Sequence, residues 1–233
     1  MNLRDFFTDI ANAIREKTGS TEQIKAKDFA TKIREIQGGG GPSLYKKTLS
    51  YLESTGTQYI DTGIIPTENM GIFIQYSMVN TGSAAISGIY KSTGTIPDFL
   101  FISSNDGTTS TATYLSHRGK GYTLKSMEMT SICDCKINYF NNGNIYFKGV
   151  YIGPVGNGDI QSHTIPIFAR YNATADNFAI SNSRIYRVII TEGDTVTHVF
   201  IPVLDLNDTP CMYDETTNKL FYNEGQNEFL YGL

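Results

Sequence analysis

Residues 132–147 read ICDCKINYFNNGNIYF, and this stretch decides the fold class. Alternate residues from Cys133 to Tyr139 are apolar, which is the period-two pattern of a strand with one buried face. The Asn142-Gly143 pair ends this pattern before a second strand begins, and a glycine there can adopt the positive φ that a tight turn needs. The stretch therefore predicts a β-hairpin.

The same period continues on both sides of this hairpin, from Leu44 to the end of the chain. A second apolar row at alternate positions is formed by Ile72, Ile74, Tyr76 and Met78. Turns are predicted around Gly107 and Gly193, in the segments Asn-Asp-Gly and Glu-Gly-Asp. About a dozen short strands without helical stretches between them favour two antiparallel sheets packed face to face. We therefore predict a mainly β fold, a jelly-roll β-sandwich over residues 44–233.

The start of the chain has a helical pattern instead. Apolar residues recur at helical spacing from Leu3 onward, with charged residues between them. A second, shorter helix is predicted to begin at Asp28 and to stop before a run of glycines. We expect a small N-terminal helical hairpin over residues 1–37, followed by a flexible linker, GGGGPS, at 38–43.

So small a helical unit cannot bury all of its apolar side chains alone. Segments below about 40 residues seldom keep a core unless a metal, a disulfide or a partner helps, and residues 1–37 contain neither cysteine nor histidine. We therefore predict that a partner surface covers part of this unit. The candidate assembly residues are Phe6, Phe7, Ile10, Ile14, Phe29, Ile33 and Ile36.

Charge and hydropathy exclude two classes of protein. Lys and Arg number 19 against 23 Asp and Glu, a net charge of -4, so no positive field is available to attract nucleic acid. No apolar run approaches the roughly 18 residues of a membrane span, and no signal-peptide pattern opens the chain. We therefore expect no nucleic-acid partner, no membrane span, and synthesis in the cytoplasm.

Cysteine and histidine usage gives no sign of a disulfide framework or of zinc. The three cysteines, Cys133, Cys135 and Cys211, cannot all pair, and buried free thiols are the predicted state. The three histidines are scattered singly, without the spacing of zinc ligands.

Two parts of the sequence resemble known families. The segment IANAIREKTGSTEQIKAKDFATKI at 10–33 resembles a short helical module of bacteriophage and prophage structural proteins, most often those of tails and baseplates. The stretches YLESTGTQYIDTG at 51–63, FIPVLD at 200–205 and PCMYDETTNKLFYNEG at 210–225 resemble the concanavalin A-like, or laminin G-like, lectin and glucanase sandwich. Such markers identify a scaffold and not a ligand.

The resemblance implies a structural protein of a virion, in a phage tail or surface appendage, made in the host cytoplasm. It implies N-terminal helices that bind other virion proteins, a homotrimer, and a sandwich that contacts the host surface through glycan as a receptor-binding adhesin. The alternative is a purely structural decoration or head-fibre protein without a specific ligand. A glycan hydrolase is the third hypothesis.

The carboxylates required for hydrolysis are not at the expected spacing. Relatives of this sandwich that hydrolyse β-glucans carry a Glu-x-Asp-x-x-Glu strand, which places nucleophile and general acid side by side. This spacing does not occur, and Glu53, Glu128 and Glu192 are isolated. A Gly-x-Ser-x-Gly nucleophile elbow is absent as well. We therefore expect a non-enzymatic protein without a catalytic site or an organic cofactor.

A sugar platform needs aromatic rings beside Asn, Asp or Arg side chains that bond the hydroxyl groups. The predicted turn at Asn105-Asp106-Gly107 and the loop that follows it combine these residue types. The candidate ligand-binding residues are Asn105, Asp106, Tyr114, His117, Arg118 and Tyr122. The alternative is that these are ordinary polar residues at exposed strand ends.

Oxygen donors also crowd one loop, at Asp205, Asn207 and Asp208. Hard cations favour such ligands, and laminin G-like relatives often carry calcium at a loop edge, so calcium is the one metal left open. The alternative is an Asx turn, in which these side chains bond their own backbone.

Overall fold

The computed structural model describes most of the chain, in separate ranges. The described residues are 3–18, 21–29, 32, 43–79, 83–90, 99–105, 111–117, 120–125, 133–138, 143–147, 149–154, 156 and 163–233. The chain divides into two compact units, Met1–Leu44 and Tyr45–Leu233, each with a hydrophobic core of its own.

The first unit is built on helix α1, Leu3–Thr18, whose apolar residues recur every three or four positions. Its small buried cluster consists of Ala11, Ile14, Ile24 and Phe29. A 3₁₀ turn at Ala26–Asp28 ends in helical backbone, and Lys32 is helical as well. Ile33 and Ile36 of the predicted second helix lie outside the described residues.

The second unit is formed by short strands. In chain order they are β1 (Tyr45–Thr48), β2 (Tyr51–Thr55), β3 (Ile60–Asp61), β4 (Met70–Met78), β5 (Ser83–Tyr90), β6 (Phe99–Asn105), β7 (Thr111–His117), β8 (Lys120–Lys125), β9 (Cys133–Asn138), β10 (Asn144–Phe147), β11 (Val150–Pro154), β12 (Pro166–Ile167), β13 (Ala169–Asn172), β14 (Asn177–Ile180), β15 (Asn182–Glu192), β16 (Thr195–Asp205), β17 (Pro210–Asp214), β18 (Lys219–Phe221) and β19 (Leu230–Gly232).

These strands form two sheets. The larger sheet has the order β11-β10-β9-β4-β15-β16-β17-β18, with β1 paired to β16, β2 to β15, and β19 to β2. The smaller sheet has the order β14-β13-β5-β6-β7-β8, and β12 pairs with both β3 and β5. The mainly β, two-sheet sandwich predicted from the sequence is confirmed.

One buried core joins the two sheets. The predicted row on β4, from Ile72 to Met78, is buried as expected and packs with Val188 of the larger sheet. Ile86 and Ile167 of the smaller sheet belong to the same cluster. The alternation of apolar and polar residues therefore places one face of each sheet against the other.

The predicted hairpins are present. Strands β9 and β10 are paired antiparallel, and Gly143 between them has a φ of 32°. Strands β15 and β16 are joined at Gly193, whose φ is 57°. Strands β6 and β7 pair from Asn105 to Thr111, and the turn between them lies outside the described residues.

One strand pair departs from the expected antiparallel pattern. Strand β12 runs antiparallel to β5, whereas β13 runs parallel to it. Ser87 of β5 is paired with Ile167 of β12 and with Ala169 of β13. The chain changes direction at Phe168, which has a φ of 68°. This left-handed conformation costs a bulky residue about 1–2 kcal/mol. The Phe168 ring is fully buried against Phe229, and burial of a phenylalanine side chain offsets a cost of that size.

The thiol of Cys211 fits the predicted buried state. Cys211 is fully buried on β17, and burial together with the nearby Asp205 charge raises its pKa to about 12. The thiol is therefore protonated and unreactive at neutral pH. Cys133 and Cys135 lie on β9, where only the backbone is described.

Helix α1 is too short and too polar to cross a bilayer, and this holds for every helix within the described ranges.

Candidate functional site

Two of the stretches that carry the sandwich resemblance, 51–63 and 210–225, meet in a structural clasp. The Gln58 side chain is buried in the loop after β2, where its Oε1 accepts hydrogen bonds from the Thr55 backbone (2.8 Å) and the Ser54 hydroxyl (3.2 Å). Its Nε2 donates to the carbonyl of Glu228 at 3.0 Å. The amide therefore ties the early loop to the C-terminal segment.

Asn223 supports the same clasp from the other side. Its Oδ1 accepts from the backbone N–H groups of Tyr59 (3.1 Å) and Gly225 (2.8 Å). A Cβ on Gly225 would lie 2.0 Å from the Thr57 carbonyl oxygen, so a side chain cannot fit there without a backbone shift. These residues therefore tie the loop after β2 to the C-terminal segment of the sandwich.

The predicted metal loop contains the Asx turn. Oδ1 of Asp205 accepts from the backbone N–H groups of Asn207 and Thr209, both at 2.8 Å, and Oδ2 accepts from the Tyr222 hydroxyl at 3.0 Å. Asp208 pairs instead with Lys46 at 2.7 Å. Within the described ranges, no group of three or more His, Cys, Asp or Glu residues is placed to hold a metal ion. Calcium binding here stays a prediction.

A second buried carboxylate organises the opposite end of the β16–β17 hairpin. Asp214 is fully buried and accepts hydrogen bonds from Thr217 Oγ1 (2.6 Å), from the Val199 N–H (2.9 Å) and from His198 Nδ1 (2.7 Å). It also accepts from the Thr216 N–H at 3.1 Å. Because a carboxylate only accepts, Nδ1 of His198 carries the proton.

These two carboxylates are held ionised. Burial alone raises the pKa of Asp214, but hydrogen bonds from Thr217, Val199 and His198 outweigh it, so the pKa lies below its ordinary value. Burial likewise raises the pKa of Asp205, and its hydrogen bonds from Thr209, Asn207 and Tyr222 again lower it overall. Both charges therefore stabilise the fold.

We expect the sandwich to lose stability in acid. A carboxyl whose pKa is lower in the folded state contributes stability above the pKa of the unfolded chain, about 3.9 for Asp, and loses it as pH falls through the folded value. The melting temperature should be level above about pH 5 and fall steadily below about pH 4. Calorimetry at stepped pH checks this, and a melting temperature that rises between pH 5 and pH 3 would contradict it.

The predicted ligand cluster is spread along β7 and its neighbours. Asn105 pairs with Thr111 at one end of β7, whereas His117 lies at the other end, paired with Lys120. Tyr114 lies between them, paired with Thr123. Asp106 and Arg118 lie outside the described residues. Ligand binding by these residues stays a prediction.

Tyr122 of the same cluster makes packing contacts between strands. Its hydroxyl donates to the Pro154 carbonyl at 2.9 Å, and its ring packs against the main core. A Cβ on Gly153 would lie 2.4 Å from the Tyr122 ring, so the glycine allows the ring to lie on the backbone of β11. Tyr122 thus links the smaller sheet to the larger one.

A different set of aromatic residues comes together on the smaller sheet. We call it the aromatic row, and its members are Tyr59, Phe178, Tyr171 and His163. The rings of Tyr59 and Phe178 stack with centroids 4.4 Å apart, and those of Tyr171 and His163 stack at 3.4 Å. Tyr171 and Phe178 join the two stacks at 5.3 Å. All four side chains are partly exposed, so the row offers aromatic surface to solvent.

Local structure fixes the row. Tyr171 and Phe178 are directly paired on β13 and β14, which places both on one face of the sheet. The turn between these strands is held by Asn172, whose Oδ1 accepts from the backbone N–H groups of Thr174 (3.0 Å) and Ala175 (3.2 Å). The clasp residue Asn223 accepts a hydrogen bond from the Tyr59 backbone N–H and so fixes the position of Tyr59.

Carboxylates lie beside the row. The Tyr171 hydroxyl donates to Asp176 Oδ1 at 2.6 Å, and this hydrogen bond raises the pKa of Tyr171. The pKa of Tyr59 is raised by burial and then by the charges of Glu224 and Asp61. Both phenols are therefore protonated at neutral pH. The site combines aromatic surface with hydroxyl donors and carboxylate acceptors, which are the groups that bind sugars.

The aromatic row was not predicted from the sequence. One signal was available, because Tyr171 and Phe178 flank the turn-forming segment NATADN and would pair across a short hairpin. Tyr59 and His163 come from distant parts of the chain, and no local pattern indicates that they meet.

The predicted assembly residues divide into core and surface positions. Ile14 and Phe29 are buried inside the first unit, and Ile10 is partly buried against them. Phe6 and Phe7 are 44% and 38% exposed, so they are available to a partner.

The solved structures that align with parts of this chain include the following three. A candidate carbohydrate-binding protein from Bacteroides ovatus has a TM-score of 0.52 at 12% identity, over 80% of this chain and 61% of that protein. A heptameric SAP-like pentraxin from Limulus polyphemus has a TM-score of 0.47 at 8% identity, over 80% and 93% of the two chains. A marine PL7 alginate lyase from Zobellia galactanivorans has a TM-score of 0.31 at 13% identity, over 66% and 73%.

No family model and no curated protein matches the chain. The chain spans 61% of the length of the Bacteroides ovatus protein, and at 12% identity the likeness shows a shared fold alone.

Proposed function

We propose that this protein is a non-enzymatic, carbohydrate-binding β-sandwich protein of a phage virion, a tail or baseplate adhesin that binds host-surface glycan. The observation that carries the proposal is the aromatic row with its neighbouring carboxylates. Partly exposed rings of Tyr59, Tyr171 and Phe178 can pack against the C–H face of a pyranose. Asp176, beside Tyr171, can accept hydrogen bonds from sugar hydroxyls.

The fold gives this proposal further support. A sandwich of similar fold occurs in the Bacteroides ovatus protein, which is itself a candidate carbohydrate-binding protein. The virion part of the proposal rests on the resemblance of residues 10–33 to a helical module of phage structural proteins. In this proposal the N-terminal helices bind other virion proteins, and three copies form the appendage.

A structural decoration or head-fibre protein is the second candidate. Val150 and Tyr151 on β11 are 63% and 54% exposed, and β11 is at one end of the described strand order of the larger sheet. Apolar side chains at such an edge favour contacts between subunits. This candidate predicts no glycan ligand.

We expect Tyr171→Ala to weaken glycan binding about tenfold. Truncating an aromatic anchor in a binding site costs roughly 1–2 kcal/mol, and every 1.4 kcal/mol is about tenfold in affinity. The measurement is a glycan array with the unaltered full-length chain, followed by titration of the strongest glycan. Tyr171→Phe keeps the ring and should retain most of the affinity.

Tyr231→Ala is the matched control, because Tyr231 is exposed on β19 and lies outside the aromatic row. Its affinity should equal that of the unaltered chain. Loss of binding in Tyr114→Ala or Arg118→Ala, with Tyr171→Ala unaffected, would place the ligand at the predicted cluster instead. An unaltered chain that binds no glycan favours the structural candidate, and released oligosaccharide would indicate the hydrolase.

A further inference from the structure

Two carboxylates lie beside the Tyr59 end of the aromatic row. Ile60 and Thr62 are buried, so Asp61 between them is turned, like Tyr59, toward the exposed side of the extended chain. Glu224 is held at the same place, because its backbone N–H donates to the Tyr59 carbonyl at 2.9 Å. Burial raises the pKa of Tyr59, and the charges of Glu224 and Asp61 raise it further, so both charges act on the phenol.

A third carboxylate lies at the Tyr171 end of the row. Oδ1 of Asp176 accepts the hydrogen bond from the Tyr171 hydroxyl at 2.6 Å, and Oδ2 has no hydrogen-bond partner among the described residues. Asp176 and Glu224 are exposed, and Asp61 is partly exposed. A ligand on the row can therefore reach carboxylate oxygens at both ends of it.

The charges of these three acids are not neutralised by basic side chains. Within the part of the chain that the structure describes, none of the three forms an ion pair. Glu53 of the larger sheet, by contrast, pairs with Arg184 at 2.6 Å. Arg170 precedes Tyr171 on β13, and the alternation of side chains places it on the other face of that strand. The row therefore lies in a local negative field.

Exposed rings in a negative field favour an organic cation as ligand. The faces of phenol and benzene rings carry partial negative charge and attract an ammonium group placed over them. A metal ion needs several ligands at one point, and no group of three or more His, Cys, Asp or Glu residues in the described ranges provides them. An acidic glycan would bring like charges together at the row.

We propose that the glycan bound by the aromatic row carries a cationic amino group, so that its repeating unit is an amino sugar with a charged amine. This inference rests on the proposed function, because it names the ligand class of the same site. The ammonium group pairs with the carboxylates of Asp176 and Glu224 beside the rings. The C–H face of the sugar packs on the rings themselves.

The test compares two glucosamine oligomers of equal length by titration calorimetry of the full-length chain at neutral pH. One oligomer carries N-acetyl groups and is neutral, and the other carries trimethylammonium groups, whose charge does not depend on pH. The cationic oligomer should bind about tenfold more tightly, because it alone gains the ion pairs and the cation–π contacts. Added salt should weaken the binding of the cationic oligomer and leave that of the neutral one nearly unchanged.

A double variant, Asp176→Asn with Glu224→Gln, removes two of the charges and keeps the size of both side chains. Asn fits at position 176, where φ is 48°, because it adopts the left-handed conformation more readily than most residues. The ratio of the two affinities should fall from about ten to about one. Asp194→Asn is the matched control, since Asp194 is exposed in the turn between β15 and β16, and its ratio should equal that of the unaltered chain.

The outcomes separate this inference from the proposed function. The inference alone is overturned by a neutral or acidic glycan that binds as tightly as the cationic oligomer and loses its binding in Tyr171→Ala. An unchanged ratio of affinities in the double variant overturns it as well. If the unaltered chain binds no glycan of any charge, the proposed function fails and this inference fails with it.

Discussion

Replacing Asp214 with alanine is expected to lower the free energy of unfolding by about 3–5 kcal/mol. The carboxylate is fully buried and accepts four hydrogen bonds, so the substitution leaves the Val199 N–H and the His198 Nδ1–H without their acceptor inside the sandwich. Hydrogen bonds to charged groups contribute about 1.5–3 kcal/mol each, and two of them account for the expected loss. Urea unfolding of the full-length chain measures it.

The neighbouring Glu215 provides a matched control. Glu215 is exposed and pairs with Arg187 only at 3.8 Å, so Glu215→Ala should change stability by less than about 0.5 kcal/mol. Asp214→Asn keeps one oxygen acceptor and should lose less than Asp214→Ala. A loss below about 1 kcal/mol for Asp214→Ala would show that the buried carboxylate does not organise this hairpin.

Gln58→Ala should destabilise the protein by about 2–4 kcal/mol. The side chain is 1% exposed, and its Oε1 and Nε2 together join the backbone of Thr55 to that of Glu228. The substitution removes this bridge and leaves both backbone groups to find new partners in a buried place, which costs about 1–3 kcal/mol per group. The melting transition and urea unfolding both report the loss.

Gln226→Ala is the control within the same clasp. Gln226 contributes its backbone, donating from N–H to the Thr57 carbonyl at 2.9 Å, and its side chain is exposed. Its stability should stay within about 0.5 kcal/mol of the unaltered chain. Equal stabilities for Gln58→Ala and Gln226→Ala would mean that the clasp is held by backbone hydrogen bonds alone.

The sequence predicted those features of the fold that depend on residues close together in the chain. The buried positions of β4, such as Ile72 and Ile74, follow from period-two alternation, because one face of the strand meets the core. Gly143 and Gly193 mark their turns because a positive φ is required within a few residues. These features are determined by residues that are close in sequence, so they can be predicted without the tertiary structure.

Long-range features could not be predicted in this way. The parallel pairing of β13 follows from the left-handed backbone at Phe168, where a bulky residue gives no sequence signal for it. The hydrogen bond from the Gln58 side chain to the Glu228 carbonyl joins residues 170 positions apart. Neither residue lies in a local pattern that indicates this contact. The stretch 51–63, which resembles a known sandwich, contains Gln58, whereas Glu228 lies beyond the resembling stretch 210–225.

The aromatic row illustrates the same limit for the candidate site. The sequence favoured the cluster around Tyr114 because its rings and polar residues are close in the chain. The row instead gathers Tyr59 and His163 from loops that lie far apart in sequence, beside a hairpin that supplies the other two rings. Local sequence patterns do not indicate a surface of this kind, since neighbouring strands of a sandwich often come from distant segments.

Glycan binding at the aromatic row can be tested by an aromatic NMR titration of the full-length chain with the strongest glycan from the array. The proposed function predicts that ring signals of Tyr59, Tyr171 and Phe178 shift together and saturate with one affinity, and that these shifts vanish in Tyr171→Ala. Shifts confined to Tyr114 and Tyr122, or no shift of any ring at saturating glycan, would contradict it.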